Sequence, residues 1–261
     1  MNMPDDHAAA VERAFSLQAP AFEDTRLNRV FTADIGWLFG HVDLAPDVLA
    51  LDVAAGTGHV ARWLAPGVRA VVAVDATEAM LDAGRAAAAN AGLRNVSFVR
   101  GDAAALPFAD GSFDVVVTRF AVHHFEQPDG PLAEMARCLR AGGRMVVADL
   151  IGGEDPSIAA RQNELERLRD PSHTRILAAG ELVELVGRVA DVVAVETREL
   201  VRPLAPWLEQ TNVDDAVAGR IAAALRAELA GGPATGFAPR EEAGDLHFVH
   251  TLATVTAAGR A

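Results

Sequence analysis

Apolar and polar positions along this chain switch between two periods. Short, continuous apolar runs rich in Val and Ala fill 48–54, 70–75, 96–100, 113–118 and 144–150. Runs of that length, bounded by turn residues, read as buried strands. Between them the spacing turns helical, over 59–64, 77–90 and 128–140. Thr77 stands where an N-cap belongs, and Pro128 and Pro131 suit a helix start. Ala141-Gly142-Gly143 ends the third helix. Strand and helix alternating in this way predict an α/β fold, a mostly parallel sheet with helices on both faces.

The pattern changes after residue 150. Helices are expected over 157–169 and 178–189, and a strand over 191–201. Residues 203–230 read as helical with a break near Asn212, and Gly231-Gly232-Pro233 with Gly236 marks a loop. A last strand over 245–255 alternates through Leu246, Phe248, His250, Leu252 and Thr254. The segment 203–244 is therefore an insertion between the final two strands. Ahead of the first strand, 8–18 reads as an amphipathic helix through Val11, Ala14 and Phe15. Both pieces are placed to cover a crevice. The charge run 161–169 is expected to form a solvated helix face with local ion pairs.

Composition narrows the function classes. The 261 residues, 51% of them hydrophobic, suffice for one domain with a full core. A net charge of −13 argues against a nucleic-acid partner and against an anionic membrane surface. The start, M-N-M-P-D-D-H, lacks the basic and apolar regions of a signal peptide, and no apolar run is long enough to span a bilayer, so a cytoplasmic protein is expected. All 23 basic residues are arginine, which excludes a Schiff-base lysine and a Walker A lysine. There is no tyrosine, so no phenol serves as acid or base. The one cysteine, Cys138, is expected to be buried on a helix over 132–139. A disulfide framework and a zinc cluster are excluded, and no His, Cys and Asp cluster has metal-ligand spacing.

The candidate chemistry begins at V-L-A-L-D-V-A-A-G-T-G-H (48–59). A strand runs through Asp52 into the turn Gly56-Thr57-Gly58 and straight into a helix, the way α/β proteins build a nucleotide crevice. A turn made for pyrophosphate offers backbone N–H groups and a positive helix end. A carboxylate at the strand end opposes that anion and suits a ligand carrying positive charge. Asp75 closes the second strand, where an acid can accept ribose hydroxyls. Asp102 follows the third strand in Gly101-Asp102-Ala103. A dinucleotide stays open, since Gly56–Ala61 fits G-x-G-x-x-A. Three carboxylates at three successive strand ends favour S-adenosylmethionine (SAM) instead: Asp52 toward the methionine end, Asp75 at the ribose, Asp102 at the adenine amine.

At these residues the chain resembles the class I SAM-dependent methyltransferases. It is most similar to the group that includes the ubiquinone/menaquinone C-methyltransferases and many small-molecule methyltransferases. The matching pieces are L-D-V-A-A-G-T-G (51–58), V-D-A-T-E-A-M-L (74–81), G-D-A-A-A-L-P-F (101–108), F-D-V-V-V-T-R-F-A-V-H-H-F (113–125) and L-R-A-G-G-R-M-V-V-A-D (139–149). The resemblance implies a Rossmann-like, doubly wound sheet of seven strands, mostly parallel with an antiparallel last strand. It implies a single domain: a helical lid over 1–45, a SAM-binding core over 46–150 and a substrate-side half over 151–261. It further implies that Ala54, Gly56 and Gly58 line the methionine portion, that Asp75 holds the ribose, that Ala76 also belongs to the cofactor site, and that Met80 packs on the adenine. Asp102 and Ala103 would bind the adenine edge, and Arg119 and Phe120 would face the sulfonium. Two departures stand out. Ala141 replaces the usual Pro before Gly142-Gly143, and the lid offers Phe22 where many relatives have tyrosine.

Methyl transfer needs a general base only if the acceptor must lose a proton. His123 and His124 are the first candidates, because they follow the strand end that faces the ligand. Adjacent side chains there are not expected both to point inward. His173 is the next candidate. Asp149 is placed to line the acceptor pocket or to anchor a loop, and Trp207 to wall an aromatic substrate or to pack in the core. His247 and His250 are expected on a sheet surface. The function this implies is methyl transfer from SAM, with S-adenosylhomocysteine (SAH) as product, to a small organic acceptor by O- or C-methylation, a quinone-like compound or secondary metabolite among them. The alternatives are a protein that binds SAM without transfer, and an NAD-dependent oxidoreductase. A homodimer is left open.

Overall fold

Continuous apolar sequence is what a strand needs when helices cover both its faces. The run at β1 (Leu49–Val53) is the clearest case, with Ala50, Leu51 and Val53 fully buried. A computed structural model describes residues 5–33 and 35–260. In it β1 pairs in parallel with β2 (Ala70–Asp75) on one side and β4 (Phe113–Arg119) on the other. β3 (Val96–Arg100) pairs with β2, and β5 (Leu139–Gly152) with β4, all in parallel. β9 (Asp245–Ala258) then runs antiparallel between β5 and β7 (Asp191–Pro203). The order is β3-β2-β1-β4-β5-β9-β7. The expected seven-stranded sheet with its antiparallel last strand is present. Two short strands extend it: β6 (Leu177–Ala178) beside β5 and β8 (Arg240–Glu242) beside β9. Two or three residues carry no readable alternation, which is why the sequence did not announce them.

Period-two alternation divides the core into layers. Leu51, Val53, Val116 and Met145 pack on one face with Leu132, Met135 and Cys138 of α5 (Asp129–Cys138) and Leu182 and Val186 of α7 (Ala179–Val189). Ala50, Val115, Val117, Val146 and Ala148 pack on the other with Val60, Ala61 and Leu64 of α3 (His59–Leu64) and with Ile35, Leu38 and Phe39. A third cluster joins Leu165 of α6 (Pro156–Arg169), Trp207 and Leu208 of α8 (Leu204–Glu209), Ile221 and Leu225 of α9 (Asp215–Leu229), and Phe237, Leu246 and Phe248. The break between α8 and α9 falls as read, with Asn212 in the left-handed region at φ 53°.

Three local readings need correction. Thr77 precedes α4 (Glu78–Asn90), but its side chain makes no capping bond; its own N–H donates to Asp75 instead. α6 is not a solvated face, since Gln162, Asn163, Leu165 and Glu166 are buried. The helix read over 8–18 is α1 (Asp5–Glu23), and it lies against the site described next. A short helix, α2 (Arg29–Thr32), follows it.

The chain reverses direction across the sheet between β1 and β4. In doubly wound folds ligands bind at that switch, outside the carboxyl ends of the strands.

Candidate active site

The carboxyl ends of β3, β2, β1 and β4 open into a cavity of about 930 Å³, and α1 forms a facing wall through Val11, Phe15 and Phe22. Small-molecule sites commonly fall in the range ~300–1,000 Å³, so this one has room for a nucleoside cofactor and a second ligand.

Asp52 lines the cavity and is buried, and its Oδ2 accepts the N–H of Ala61 at 2.9 Å. It therefore also satisfies a donor in the first turn of α3. Burial raises the Asp52 carboxyl to about 7, against the pull of that N–H. Arg119, at the end of β4, lines the same space and is itself lowered to about 10 by burial, with Asp52 opposing the shift. On β2, Asp75 accepts from Gly56 N–H at 2.7 Å through Oδ2 and from Thr77 N–H at 2.9 Å through Oδ1. Burial raises Asp75 as well, and each oxygen keeps lone-pair capacity for a hydroxyl. Asp102 is exposed, and its Oδ1 accepts from Ala104 N–H at 2.8 Å. Ala54 and Phe120 reach the cavity in the left-handed region, at φ 52° and 55°. Non-glycine residues seldom adopt it, and such strain gathers at functional strand ends.

Phe22, Gly56, Ala76 and Ala103 also line the cavity. Gly58 and Met80 do not. Gly58, at φ +73°, is the N-cap of α3, and a Cβ there would come within 2.7 Å of Phe98 Cε1. Its role is packing against β3. Met80 is fully buried because it belongs to the inward face of α4, with Leu81, Gly84 and Ala88.

A short 3₁₀ turn, Val122–His124, follows β4. His123 and His124 both line the cavity, their ring centres 4.2 Å apart. Successive side chains in such a turn point about 120° apart, enough for a cavity that wraps around the turn to meet both. The expectation that one must face away is corrected. Asp149 does not line the cavity. Its Oδ1 lies 2.5 Å from His123 Nδ1, and its Oδ2 accepts the backbone N–H of His123 at 3.0 Å. Burial would lower the His123 ring; the charge and hydrogen bond of Asp149 outweigh it and raise the ring above its ordinary value. His124 turns Nδ1 to the carbonyl of Ser172 at 3.1 Å, and burial, with His123 beside it, pushes it down to about 4. Phe15 of the lid helix meets the His124 ring edge-on at 4.9 Å, and His7 Nε2 reaches the His124 carbonyl at 3.0 Å. His173 contacts Asn163 Oδ1 at 2.9 Å and is driven to about 3 by burial, then by His123. The three histidines come together in one wall, and only His123 is held basic.

The far end of the cavity was not foreseen. Glu166, Arg169, Asp170, Arg202, Gln210 and His250 line it, with Trp207. His250 is not on a sheet surface. It is 1% exposed, because β9 is interior to the sheet and the alternating set Leu246, Phe248, His250 faces inward. That alternation was the available signal. His247, on the opposite parity, keeps a surface contact to Asp245 O at 3.2 Å. Trp207 packs in the core, 4.7 Å from the Phe248 ring, and also lines the cavity. Cys138 is buried. Among the described residues no group of three or more His, Cys, Asp or Glu is placed to hold a metal ion, and no helix is long and apolar enough to cross a membrane.

Residues 51–147 match the family model described as "Methyltransferase domain". An uncharacterised methyltransferase of Bacillus subtilis, YcgJ, is 37% identical over 166 residues, covering 63% of this chain and 64% of its own length. The demethylmenaquinone methyltransferase of Thermus thermophilus is 41% identical over 143 residues, covering 52% of this chain and 63% of its own length. The match thus spans a little under two thirds of each relative. The crystal structure of YcgJ superposes with a TM-score of 0.77 at 27% identity, over 87% of this chain and 98% of the other. The sheet order, the crevice and the ordered motifs agree with these likenesses.

Proposed function

We propose that this chain, which belongs to the SAM-dependent methyltransferases, transfers a methyl group from SAM to a small organic acceptor by O- or C-methylation. One observation carries the reading. The carboxylates of Asp52, Asp75 and Asp102 and the His123–Asp149 pair serve a single cavity. The acids suit a cationic nucleoside, and the basic imidazole suits an acceptor that must be deprotonated. The name of the Thermus relative makes a demethylated quinone one acceptor class within this reading.

Bound SAM supplies a methyl group already activated on a sulfonium. The protein's share is position, exclusion of water and, where needed, a base. Asp75 would take the ribose hydroxyls, Asp102 the adenine edge, and Asp52 the positive end. α1, through Phe15 and Phe22, covers the site. Holding two reactants in line is worth up to ~7–11 kcal/mol in well-aligned systems. Asp149 holds the proton of His123 on Nδ1 and so leaves Nε2 to accept one from the acceptor atom. The imidazolium that results stays beside a carboxylate. A base so placed contributes roughly 10²–10⁴-fold.

The test is calorimetric titration with SAH and NAD, followed by incubation of acceptor panels with methyl-labelled SAM. Tight SAH binding, no NAD binding and label in a small-molecule product are expected. SAH binding without any labelled product would favour a non-transferring SAM protein.

A further inference from the structure

The far end of the cavity is a charged pocket that the transfer chemistry does not use. Arg202 near the end of β7 is 7% exposed and lines the cavity. Its contacts are long and to neutral groups: Nη1 is 3.5 Å from His250 Nδ1, and Nη2 is 3.5 Å from Gln210 Oε1. Ordinary N–H···O bonds run at ~2.7–3.2 Å, so this guanidinium is under-used.

The neighbouring carboxylates are committed elsewhere. Glu166 Oε1 accepts from His250 Nε2 at 2.8 Å, which leaves His250 Nδ1 facing Arg202 as an acceptor. Asp170 accepts from Ser172 N–H at 2.9 Å, from Ser172 Oγ at 2.5 Å and from Gln18 Nε2 at 3.4 Å. A second cation, Arg169, lies over the Trp207 ring at 4.5 Å and donates to Trp207 O and Gln210 Oε1, each at 3.0 Å. Two guanidinium groups on Oε1 fix which way the Gln210 amide points, with Nε2 as a donor. Gln210 Nε2 and Trp207 Nε1 are both buried and have no partner within the protein.

The donors with capacity to spare here are Arg202, Trp207 Nε1 and Gln210 Nε2. Glu166 attracts both guanidinium groups through its charge. Buried donors left unmatched are costly, and a planar fork beside them fits a carboxylate. We propose that Arg202, Trp207 and Gln210, supported by Arg169, bind a carboxylate group of the methyl acceptor. The inference rests on the methyl-transfer reading for what the ligand is, but not for its charge.

The sheet gives the acceptor's dimension. His250 on β9 is two strands from β4, and Arg202 on β7 is three. Arg119 is level with Thr254 and Glu196 across the sheet, so His250 and Arg202 also lie four and six residues further along their strands. At ~4.8 Å per strand and ~3.3 Å per residue, the backbone of the anion pocket lies roughly 16–25 Å from that of Arg119. The anionic group and the methyl-accepting atom then sit at opposite ends of an elongated acceptor.

The experiment uses the whole chain saturated with SAH and reads the indole N–H resonance of Trp207 by NMR, assigned with Trp207→Phe. The probes are para-hydroxybenzoate and octanoate, the amide of each, and inorganic phosphate. At least one acid is expected to bind about tenfold or more tightly than its amide and to move the resonance downfield. Arg202→Met should cut that preference below about twofold while SAH affinity holds within about twofold, and Arg202→Lys should restore part of it. Equal binding of acid and amide, a preference that survives Arg202→Met, or phosphate binding more tightly than either acid overturns the proposal. If Arg202→Met fails to fold, Trp207→Phe must weaken the acid more than the amide, read by calorimetry. A wild-type chain that does not bind SAH counts against the methyl-transfer reading alone, since the same titration without SAH still reports the preference.

Discussion

One carboxylate grips His123 twice: Asp149 Oδ1 lies 2.5 Å from the ring Nδ1, and Oδ2 takes the backbone N–H of the same residue at 3.0 Å. Ring and main chain are fixed together, so the imidazole presents one tautomer and one orientation. Asp149 sits at the end of β5 and His123 just past the end of β4, so the pair also ties two neighbouring strands.

Replacing Asp149 by Asn removes the charge that raises His123 and leaves burial dominant, so the ring's pKa falls. His123 acts as a base only when neutral, and activity rises with pH through its pKa. The acid limb of the kcat profile should therefore move to lower pH in Asp149→Asn, with kcat at its plateau reduced roughly 10²-fold. A pH–rate profile that keeps its acid limb would remove His123 from the chemistry.

Asp75→Ala deletes the acceptor of the Gly56 and Thr77 N–H groups together with the group assigned to the ribose. Hydrogen bonds to charged groups are worth ~1.5–3 kcal/mol each, so SAH affinity should drop about 100-fold. Calorimetry decides it, and unchanged affinity would sink the assignment.

Burial lifts the Asp52 carboxyl to about 7, which brings its ionisation into the neutral range. A cationic ligand arriving beside it favours the ionised form. SAM binding near pH 7 should then release a proton to the buffer, and SAM affinity should climb as pH rises toward 7 and level off above it. SAH, without the sulfonium charge, should release less. Binding heats measured in two buffers of different ionisation enthalpy give the count, and Asp52→Asn should abolish the difference.

Gly84 on α4 lies where a Cβ would meet Phe98 Cε1 at 2.5 Å and Thr57 O at 2.6 Å. Overpacking of this kind costs ~1–3 kcal/mol. Gly84→Ala should lower the thermal midpoint by several degrees, about 2–4 °C per kcal/mol at this size. Because Thr57 belongs to the glycine turn, SAH affinity should weaken in the same variant. A melting curve identical to wild type would contradict the packing described between α4, β3 and that turn.

The strands of the first half were readable because they are buried on both faces and so keep unbroken apolar sequence. The glycine turn and the acids at the strand ends were readable because those positions follow from strand ends alone. The far pocket was hidden for a different reason. Arg169 closes a helix whose charges looked solvated, and Arg202 ends a strand whose neighbours are mostly exposed. Their burial comes from α8 and β9 folding over them, a contact no local pattern records. Met80 differs in the opposite sense. Its motif position matched, but the inward face of α4 claimed the side chain.

The order of strands along the sheet edge separates two kinds of specificity. β2 to β4 and the last three residues of β1 fall within residues 51–147, the stretch matched by the family-wide domain, while β7, β9, α6 and α8 lie beyond it. On the proposed reading, recognition of the nucleoside is written in the shared part of the chain, and recognition of the acceptor in the part free to diverge. A chimera that keeps residues up to 150 and takes the remainder from a relative should retain its affinity for SAH and change the molecule it modifies, as one handle accepts different blades.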